Sequence, residues 1–333
     1  MNEKFKATLK SSETEDWLDL HVIRPFCYYC AVFFAKFDVH PNTITIWSMI
    51  IGAASAWFFA QGSWYYSLQE TGSIWQGLIY NIIGIFLLMW GDIFDCTDGQ
   101  LARMTGKKSR LGRILDGLAG FTWFFPIYVA LVIRFYMHHD LEFQWLGIEN
   151  TEQNTLIATG VVFVLALISG LWGLQGQQRL ADYYIQVHLF FQKGEKGSEL
   201  DNSTRQKEIY EQLPKDTPFY ERWFQKSYIE YTKKQENVTP EFQKLMAKLH
   251  EKYGSSDNIP QEIRDEVRSQ SLPLMKWNGL LTFNFREFWL FLFCLIDIPV
   301  GNFLWEIIGM GLIYWYVNHR HETFCKKIRE KLG

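Results

Sequence analysis

Residues 91–120 read GDIFDCTDGQLARMTGKKSRLGRILDGLAG and place four carboxylates beside a basic turn that separates two apolar stretches. In a helix, Asp95 and Asp98 are neighbours on one face, because residues i and i+3 lie about 60° apart around the axis. Asp116 lies near the start of the second apolar stretch and can face this pair across a helix–helix contact. Acids at the ends of apolar helices are costly unless a cation lies between them, and hard oxygen ligands favour Mg²⁺, Mn²⁺ or Ca²⁺. The stretch therefore predicts a divalent-cation site at a membrane surface.

The composition predicts a membrane protein with a polar insertion. Of the 333 residues 17% are aromatic, and the 14 Trp and 27 Phe are concentrated in long apolar stretches. The formal net charge of -3 provides no general basic field, so nucleic acid is not expected as a partner. Cys27 and Cys30 have C-x2-C spacing, but no second pair completes a zinc site, which favours two small apolar residues on a helix.

Six apolar stretches approach the length of about 20 residues that crosses a bilayer. They occupy residues 40–60, 74–94, 114–137, 155–174, 283–300 and 301–317. Connections 61–73 and 138–154 contain no Lys or Arg, whereas connection 103–113 and the C-terminal tail are basic. The positive-inside rule then places both termini and the aspartates in the cytoplasm. We predict an all-α, polytopic, integral membrane protein with six transmembrane helices, an N-terminal interfacial helix and a cytosolic helical insertion.

The same patterns predict five parts of the chain. They are a tail and interfacial amphipathic helix (1–38), a membrane core with spans one to four (39–191), a polar helical insertion (192–282), spans five and six (283–317) and a basic cytosolic tail (318–333). The insertion balances fifteen basic against fifteen acidic residues, which indicates a solvated surface. Within it, Thr239, Pro240 and Gly254 predict the N-cap, first residue and end of one helix.

The aspartate spacing resembles the pattern D-x2-D-G-x2-A-R-x8-G-x3-D-x3-D of the CDP-alcohol phosphotransferase (CDP-alcohol phosphatidyltransferase) family. Seven of its eight positions match without a gap, at Asp95, Asp98, Gly99, Ala102, Arg103, Gly112 and Asp116. The eighth, an aspartate in the family, is Gly120 here. The P-N-x-x-T sequence that begins at Pro41 also resembles the start of the family's first core helix, although helix capping explains it equally well.

This resemblance implies transfer of a substituted phosphate from a CDP-alcohol to a hydroxyl acceptor, with release of CMP and with Mg²⁺ or Mn²⁺ as cofactor. It implies Asp95, Asp98 and Asp116 as metal ligands and a homodimer as the assembly. The implied CDP-binding residues are Asn42, Thr45, Gly99, Ala102, Arg103 and Gly112. We expect CDP-diacylglycerol as donor and a small polyol or polyol phosphate as acceptor, in phospholipid biosynthesis; a soluble CDP-headgroup with a lipid acceptor is the alternative.

Gly120 is the departure from this pattern. The family's aspartate there is the proposed general base and a ligand of a second metal ion, and glycine can be neither. Three interpretations follow: a silent homologue that binds nucleotide or lipid, a substitute base such as Asp92 or a metal-bound hydroxide, or a change introduced into the sequence. A different class is a membrane scaffold that recruits a partner through residues 192–282.

Two more acids, Asp297 and Glu306, lie in apolar stretches. An ionisable residue inside a membrane segment is a functional candidate by default. Asp297 also fits the short turn between the last two stretches.

Overall fold

The computed structural model describes residues 13–14, 19–107 and 110–333, with only the backbone described at 110, 113 and 114. All regular secondary structure in these ranges is helical. The chain forms two compact units: the first contains residues 1–175 and 283–309, and the second contains residues 176–282 and 310–333.

The α-helices are α1 (Arg24–Lys36), α2 (Pro41–Ala60), α3 (Trp64–Thr71), α4 (Trp75–Thr105), α5 (Arg110–His138), α6 (Asp140–Leu146), α7 (Glu152–Ile168), α8 (Gln178–Lys193), α9 (Ser203–Glu211), α10 (Phe219–Val238), α11 (Pro240–Tyr253), α12 (Gln261–Gly279), α13 (Phe283–Leu295), α14 (Val300–Leu304) and α15 (Met310–Lys331). π-Helical segments occupy Asp19–Ile23, Ser169–Gln177 and Trp305–Gly309.

Five helices in the described part of the chain are long and apolar enough to cross a membrane. They are Pro41–Ala60, Trp75–Thr105, Leu115–His138, Glu152–Lys193 and Val300–Lys331. The prediction of an all-helical, multi-pass membrane protein is therefore confirmed, but the count of six is not. The predicted span 283–300 contains α13, whose 13 residues cover about 20 Å, less than the roughly 30 Å hydrocarbon core.

Close packing of α2, α4 and α5 forms the centre of the first unit. A Cβ atom at Gly91 would lie 3.1 Å from the Cα of Gly52, and one at Gly52 would lie 2.3 Å from Cδ1 of Trp123. The Trp123 indole also donates a hydrogen bond to the Ser48 carbonyl at 3.1 Å. Glycine at these two positions lets α4 and α5 approach α2 closely, and this places the C-terminal turns of α4 beside the start of α2.

Helix α1 packs against α4 through small side chains. Cys27 and Ala31 are buried, and the Cys27 thiol lies 3.5 Å from the Ile93 carbonyl oxygen. All five cysteines are free, in agreement with the interpretation of the C-x2-C pair as packing residues. Tyr29 and Phe33 on the opposite face are exposed. Location of α1 in the membrane interface remains a prediction, and part of the predicted tail and interfacial helix 1–38 (residues 1–12 and 15–18) lies outside the described residues.

Asp297 forms a buried ion pair with Arg134, with 2.6 Å between Arg134 Nη2 and Asp297 Oδ1. The second oxygen of Asp297 accepts hydrogen bonds from the Ser63 hydroxyl at 2.9 Å and from the Tyr65 backbone N–H at 2.7 Å. Asp297 has a φ of 62° in the turn after α13. Its interactions therefore support the interpretation as a turn residue, because they tie this turn to α5 and to the α2–α3 connection.

Glu306 is also held by buried partners in the first unit. Its carboxylate lies 2.8 Å from Arg286 Nη1 and accepts a hydrogen bond of 2.5 Å from the Tyr128 hydroxyl. Ser169 donates a further hydrogen bond to the same carboxylate oxygen. These contacts satisfy the charge of Glu306 within the helix bundle and explain its presence in an apolar stretch.

The second unit has a hydrophobic core of its own, formed by α8, α11, α12 and α15. The predicted insertion 192–282 therefore packs with helices on either side of it in the sequence. Gly254 ends α11 with a φ of 74°, as predicted. Thr239 is the N-cap residue and Pro240 the first residue of α11, as predicted, but the Thr239 side chain does not cap the helix. Its hydroxyl donates to the Gln235 carbonyl at 2.9 Å, and the Glu322 carboxylate accepts from the Glu241 N–H at 2.6 Å instead.

We predict that Asp297→Ala lowers the free energy of unfolding by about 3–5 kcal/mol, because it leaves the Arg134 guanidinium buried without its counter-charge. Denaturant unfolding in detergent micelles measures the loss. Asp38→Ala is the control, since Asp38 pairs with Lys107 at 2.5 Å on the surface and this exposed pair should contribute little. Equal stability of Asp297→Ala and the unchanged protein would contradict the assignment.

Glu142 on α6 is buried, and burial raises the pKa of its carboxyl from the usual 4.5 to about 7. Between these values the folded protein binds the proton more tightly than the unfolded chain, so the free energy of unfolding falls as the pH rises from 4.5 to 7. We expect this fall in the free energy of unfolding to be about 3 kcal/mol in the unchanged protein and to be absent in Glu142→Gln. The measurement is the difference between the two proteins' unfolding curves at several pH values; parallel pH profiles would contradict the prediction.

Candidate functional site

The last turns of α4 carry the first two motif aspartates. Asp98 is buried and accepts a hydrogen bond from the Thr45 hydroxyl on α2. Two predicted site residues from different helices are therefore in direct contact. Asn42 lies in the first turn of α2, where its backbone N–H donates to His40 Nδ1 at 3.2 Å and closes the helix end. This hydrogen bond gives the Asn42 backbone N–H a role in capping the helix.

Asp95 and Asp116 extend the acidic group. Asp95 Oδ1 is buried and accepts no hydrogen bond from the described residues. Asp116, at the start of α5, lies within electrostatic range of both Asp95 and Asp98. Three carboxylates in mutual range repel one another, and a buried oxygen without a donor is costly. A divalent cation would remove both costs, so the residues present fit the predicted Mg²⁺ or Mn²⁺.

Arg103 supplies positive charge at the same place. Its guanidinium lies over Gly99, where an added Cβ atom would be 3.4 Å from Nη1, and it is within electrostatic range of Asp98. The small residue at 99 thus allows the arginine to lie along the helix surface. Ala102 and Gly112 are both half-buried. A guanidinium is suited either to hold an aspartate or to face a phosphate.

Asp92 lies one helical turn before Asp95 and is within its electrostatic range. The charged groups near Asp92 also include Arg24, the first residue of α1, and Asp19, in the π-helical segment that precedes α1. Asp92 therefore belongs to the same row of acids on α4, but it is also within electrostatic range of charged residues at and before the start of α1.

The position of the missing motif aspartate is filled by another helix. A Cβ atom at Gly120 would lie 2.2 Å from Cζ of Phe283, at the start of α13. The Phe283 ring stacks on Phe124 with centroids 5.7 Å apart and meets the edge of Trp123 at 6.4 Å. The space beside Gly120 is consequently part of an aromatic cluster, and a carboxylate there requires the ring to move.

Glu287 is a residue near the site that the sequence analysis did not single out. It lies one turn after Phe283 on α13, is 5% exposed and is within electrostatic range of Asp92. The sequence feature that could have identified Glu287 is an acid in an apolar stretch, four residues after an aromatic residue and therefore on the same helix face.

A second group with metal-ligating side chains lies in the second unit. Ligand atoms of His321, Glu322 and Cys325 are all within 4.8 Å of one another. The Glu322 carboxylate accepts hydrogen bonds from the first N–H groups of α11, and the His321 ring stacks on Tyr184 at 3.9 Å. These interactions are those of helix capping and core packing, so this group is not our candidate cofactor site.

We predict that Gly120→Ala destabilises the protein by about 1–3 kcal/mol, because the new methyl group overlaps the Phe283 ring. In the double variant Gly120→Ala/Phe283→Leu the loss should be smaller than the sum of the two single losses. Thermal unfolding of the four proteins in detergent provides this comparison. The matched control is Gly117→Ala, also on α5, where an added Cβ atom meets no neighbour; additive losses would contradict the contact.

Comparison with known proteins gives one match. Residues 38–164 match the family model described as CDP-alcohol phosphatidyltransferase. Neither the curated proteins nor the solved structures contain a match. The matched segment runs from the connection before α2 into α7 and includes every motif position discussed above. Over residues 38–164 this chain is therefore similar to the CDP-alcohol phosphatidyltransferase family, a family of transferases.

Proposed function

We propose that the protein transfers a substituted phosphate from a CDP-alcohol to a hydroxyl acceptor and releases CMP. The observation that carries the proposal is the gathering of Asp95, Asp98 and Asp116 from two helices, with one buried Asp95 oxygen that accepts no hydrogen bond from described residues. The family match over the same segment supports this class of reaction.

In this proposal Asp95, Asp98 and Asp116 hold Mg²⁺ or Mn²⁺. The cation would neutralise charge on the pyrophosphate of the donor as CMP departs. Thr45 orients Asp98 through its hydrogen bond and so acts as a positioning residue. The proposed nucleotide contacts are Asn42, Gly99, Ala102, Arg103 and Gly112. Arg103 is suited to the phosphates because its charge persists at any working pH.

CDP-diacylglycerol remains our preferred donor, with a small polyol or polyol phosphate as acceptor. The apolar helices would allow a lipid-linked donor to approach from the bilayer, and the motif lies at the end of one of them. The bias of Lys and Arg supports a cytoplasmic site and cytoplasmic termini. The homodimer implied by the family remains a prediction.

A second candidate function is metal-dependent nucleotide or lipid binding without turnover. It is favoured by the contact between Gly120 and Phe283, because the family's proposed base is absent and its space is filled. Asp92 is the remaining candidate base within the motif helix, one turn from Asp95.

The test is CMP release by the purified protein with Mg²⁺ or Mn²⁺, CDP-diacylglycerol or soluble CDP-alcohols, and a panel of hydroxyl acceptors. We expect Asp116→Asn to reduce the rate about 100-fold or more, since loss of a metal ligand removes several kcal/mol of transition-state stabilisation. Glu70→Gln on the exposed face of α3 is the matched control and should retain the rate.

CMP release that is equal in Asp116→Asn and the unchanged protein would contradict the proposed site. Metal-dependent CDP binding without CMP release would instead support the silent homologue. Absence of both release and CDP binding would overturn the transferase and the nucleotide-binding homologue. It would leave a lipid-binding homologue and the scaffold hypothesis for residues 192–282.

A further inference from the structure

Helix α13 presents one face to the motif region, outside the segment that matches the family. Phe283 and Glu287 are four residues apart and therefore neighbours on one side of the helix. Phe283 lies against Gly120, and α13 as a whole packs against α4, which carries the aspartates. Asn284 in the same turn donates a hydrogen bond to Asp19 at 2.7 Å. These contacts fix α13 beside the row of acids.

Glu287 is an acid in an unusual environment. Its side chain is 5% exposed, and Oε1 is buried without a hydrogen-bond partner in the described part of the chain. The charged group that acts on it is another acid, Asp92. The adjacent Arg286 is engaged with Glu306 at 2.8 Å. A buried carboxylate beside a second carboxylate is strongly unfavourable unless a cation or a proton compensates it.

The row of acids continues from Glu287 to the motif. Asp92 is within electrostatic range of Glu287 and of Asp95. Buried oxygens that lack a hydrogen-bond donor among described residues lie at both ends of this row, on Glu287 and on Asp95. Two such atoms, from different helices and within electrostatic range of the same intervening acid, indicate a place for a cation.

We propose that Glu287 provides the carboxylate that Gly120 lacks, and that with Asp92 it binds a second divalent cation beside the motif site. The inference rests on the proposed function, in that the motif aspartates hold the first cation. Two residues of one face of α13 then replace one aspartate: Phe283 fills its volume and Glu287 carries its charge. The ligand set of hard oxygen atoms suits Mg²⁺ or Mn²⁺.

The experiment counts Mn²⁺ bound to the full chain in detergent, using the electron paramagnetic resonance signal of free Mn²⁺. We expect about two Mn²⁺ per chain in the unchanged protein and a loss of about half of this in Glu287→Gln. Glu287→Asp keeps the charge and should retain part of the second equivalent at weaker affinity.

Glu142→Gln is the matched control. Glu142 is also 5% exposed and also has a buried Oε1 without a partner in the described chain, but its charged neighbours include Asp297 and Arg134. Removing this carboxylate should leave Mn²⁺ binding unchanged. Thermal unfolding without metal checks that Glu287→Gln is folded, and addition of Mn²⁺ should raise its melting temperature less than that of the unchanged protein.

Equal Mn²⁺ binding by Glu287→Gln and the unchanged protein would overturn the proposal, as would an equal loss in Glu142→Gln. The count is independent of turnover. A loss confined to Glu287→Gln, in a protein that releases no CMP, would therefore uphold this site and refute the transferase activity. Release of CMP by the unchanged protein, together with unchanged Mn²⁺ binding in Glu287→Gln, would support the transferase activity and refute this second cation site.

Discussion

The electrostatic repulsion among carboxylates at the end of α4 is the constraint on which the site depends. Asp95 and Asp98 are held there because α4 crosses α2 at Gly91 and Gly52, an approach that a larger residue would prevent. Asp116 joins them from α5. Arg103 compensates part of this charge and the Thr45 hydroxyl satisfies one Asp98 oxygen, but an Asp95 oxygen has no donor among the described residues. The helix packing thus creates a local excess of negative charge that a divalent cation can neutralise.

Helix α13 gives the departure from the family pattern a physical context. Without α13, glycine in place of the motif aspartate at position 120 would only remove a carboxylate and leave an empty space. Instead the Phe283 ring occupies this space, and Glu287 places a buried acid one turn further along the same helix. Volume and charge at a site can be supplied by different residues, provided that one rigid element carries both. The short length of α13 is consistent with this role, since it is 13 residues long and too short to cross a bilayer core.

Sequence patterns predicted the long apolar helices, the basic connection and the clustering of the three aspartates, because these depend on local composition and on spacing within one segment. They did not predict that α13 is short, since hydropathy alone does not locate the turn at Asp297 that ends it. The partners of Asp297 and Glu306, Arg134 and Arg286, were also missed. Each pair joins residues more than 15 positions apart, and sequence from a single chain carries no signal for such contacts.

The most direct test of the account is the location of Mn²⁺ in crystals of the protein, by anomalous scattering at the manganese edge. The account predicts a peak among the carboxylates of Asp95, Asp98 and Asp116. Absence of a peak there in a crystal that contains Mn²⁺ elsewhere, for example at His321 and Cys325, would contradict the claim that this acidic cluster is a cation site.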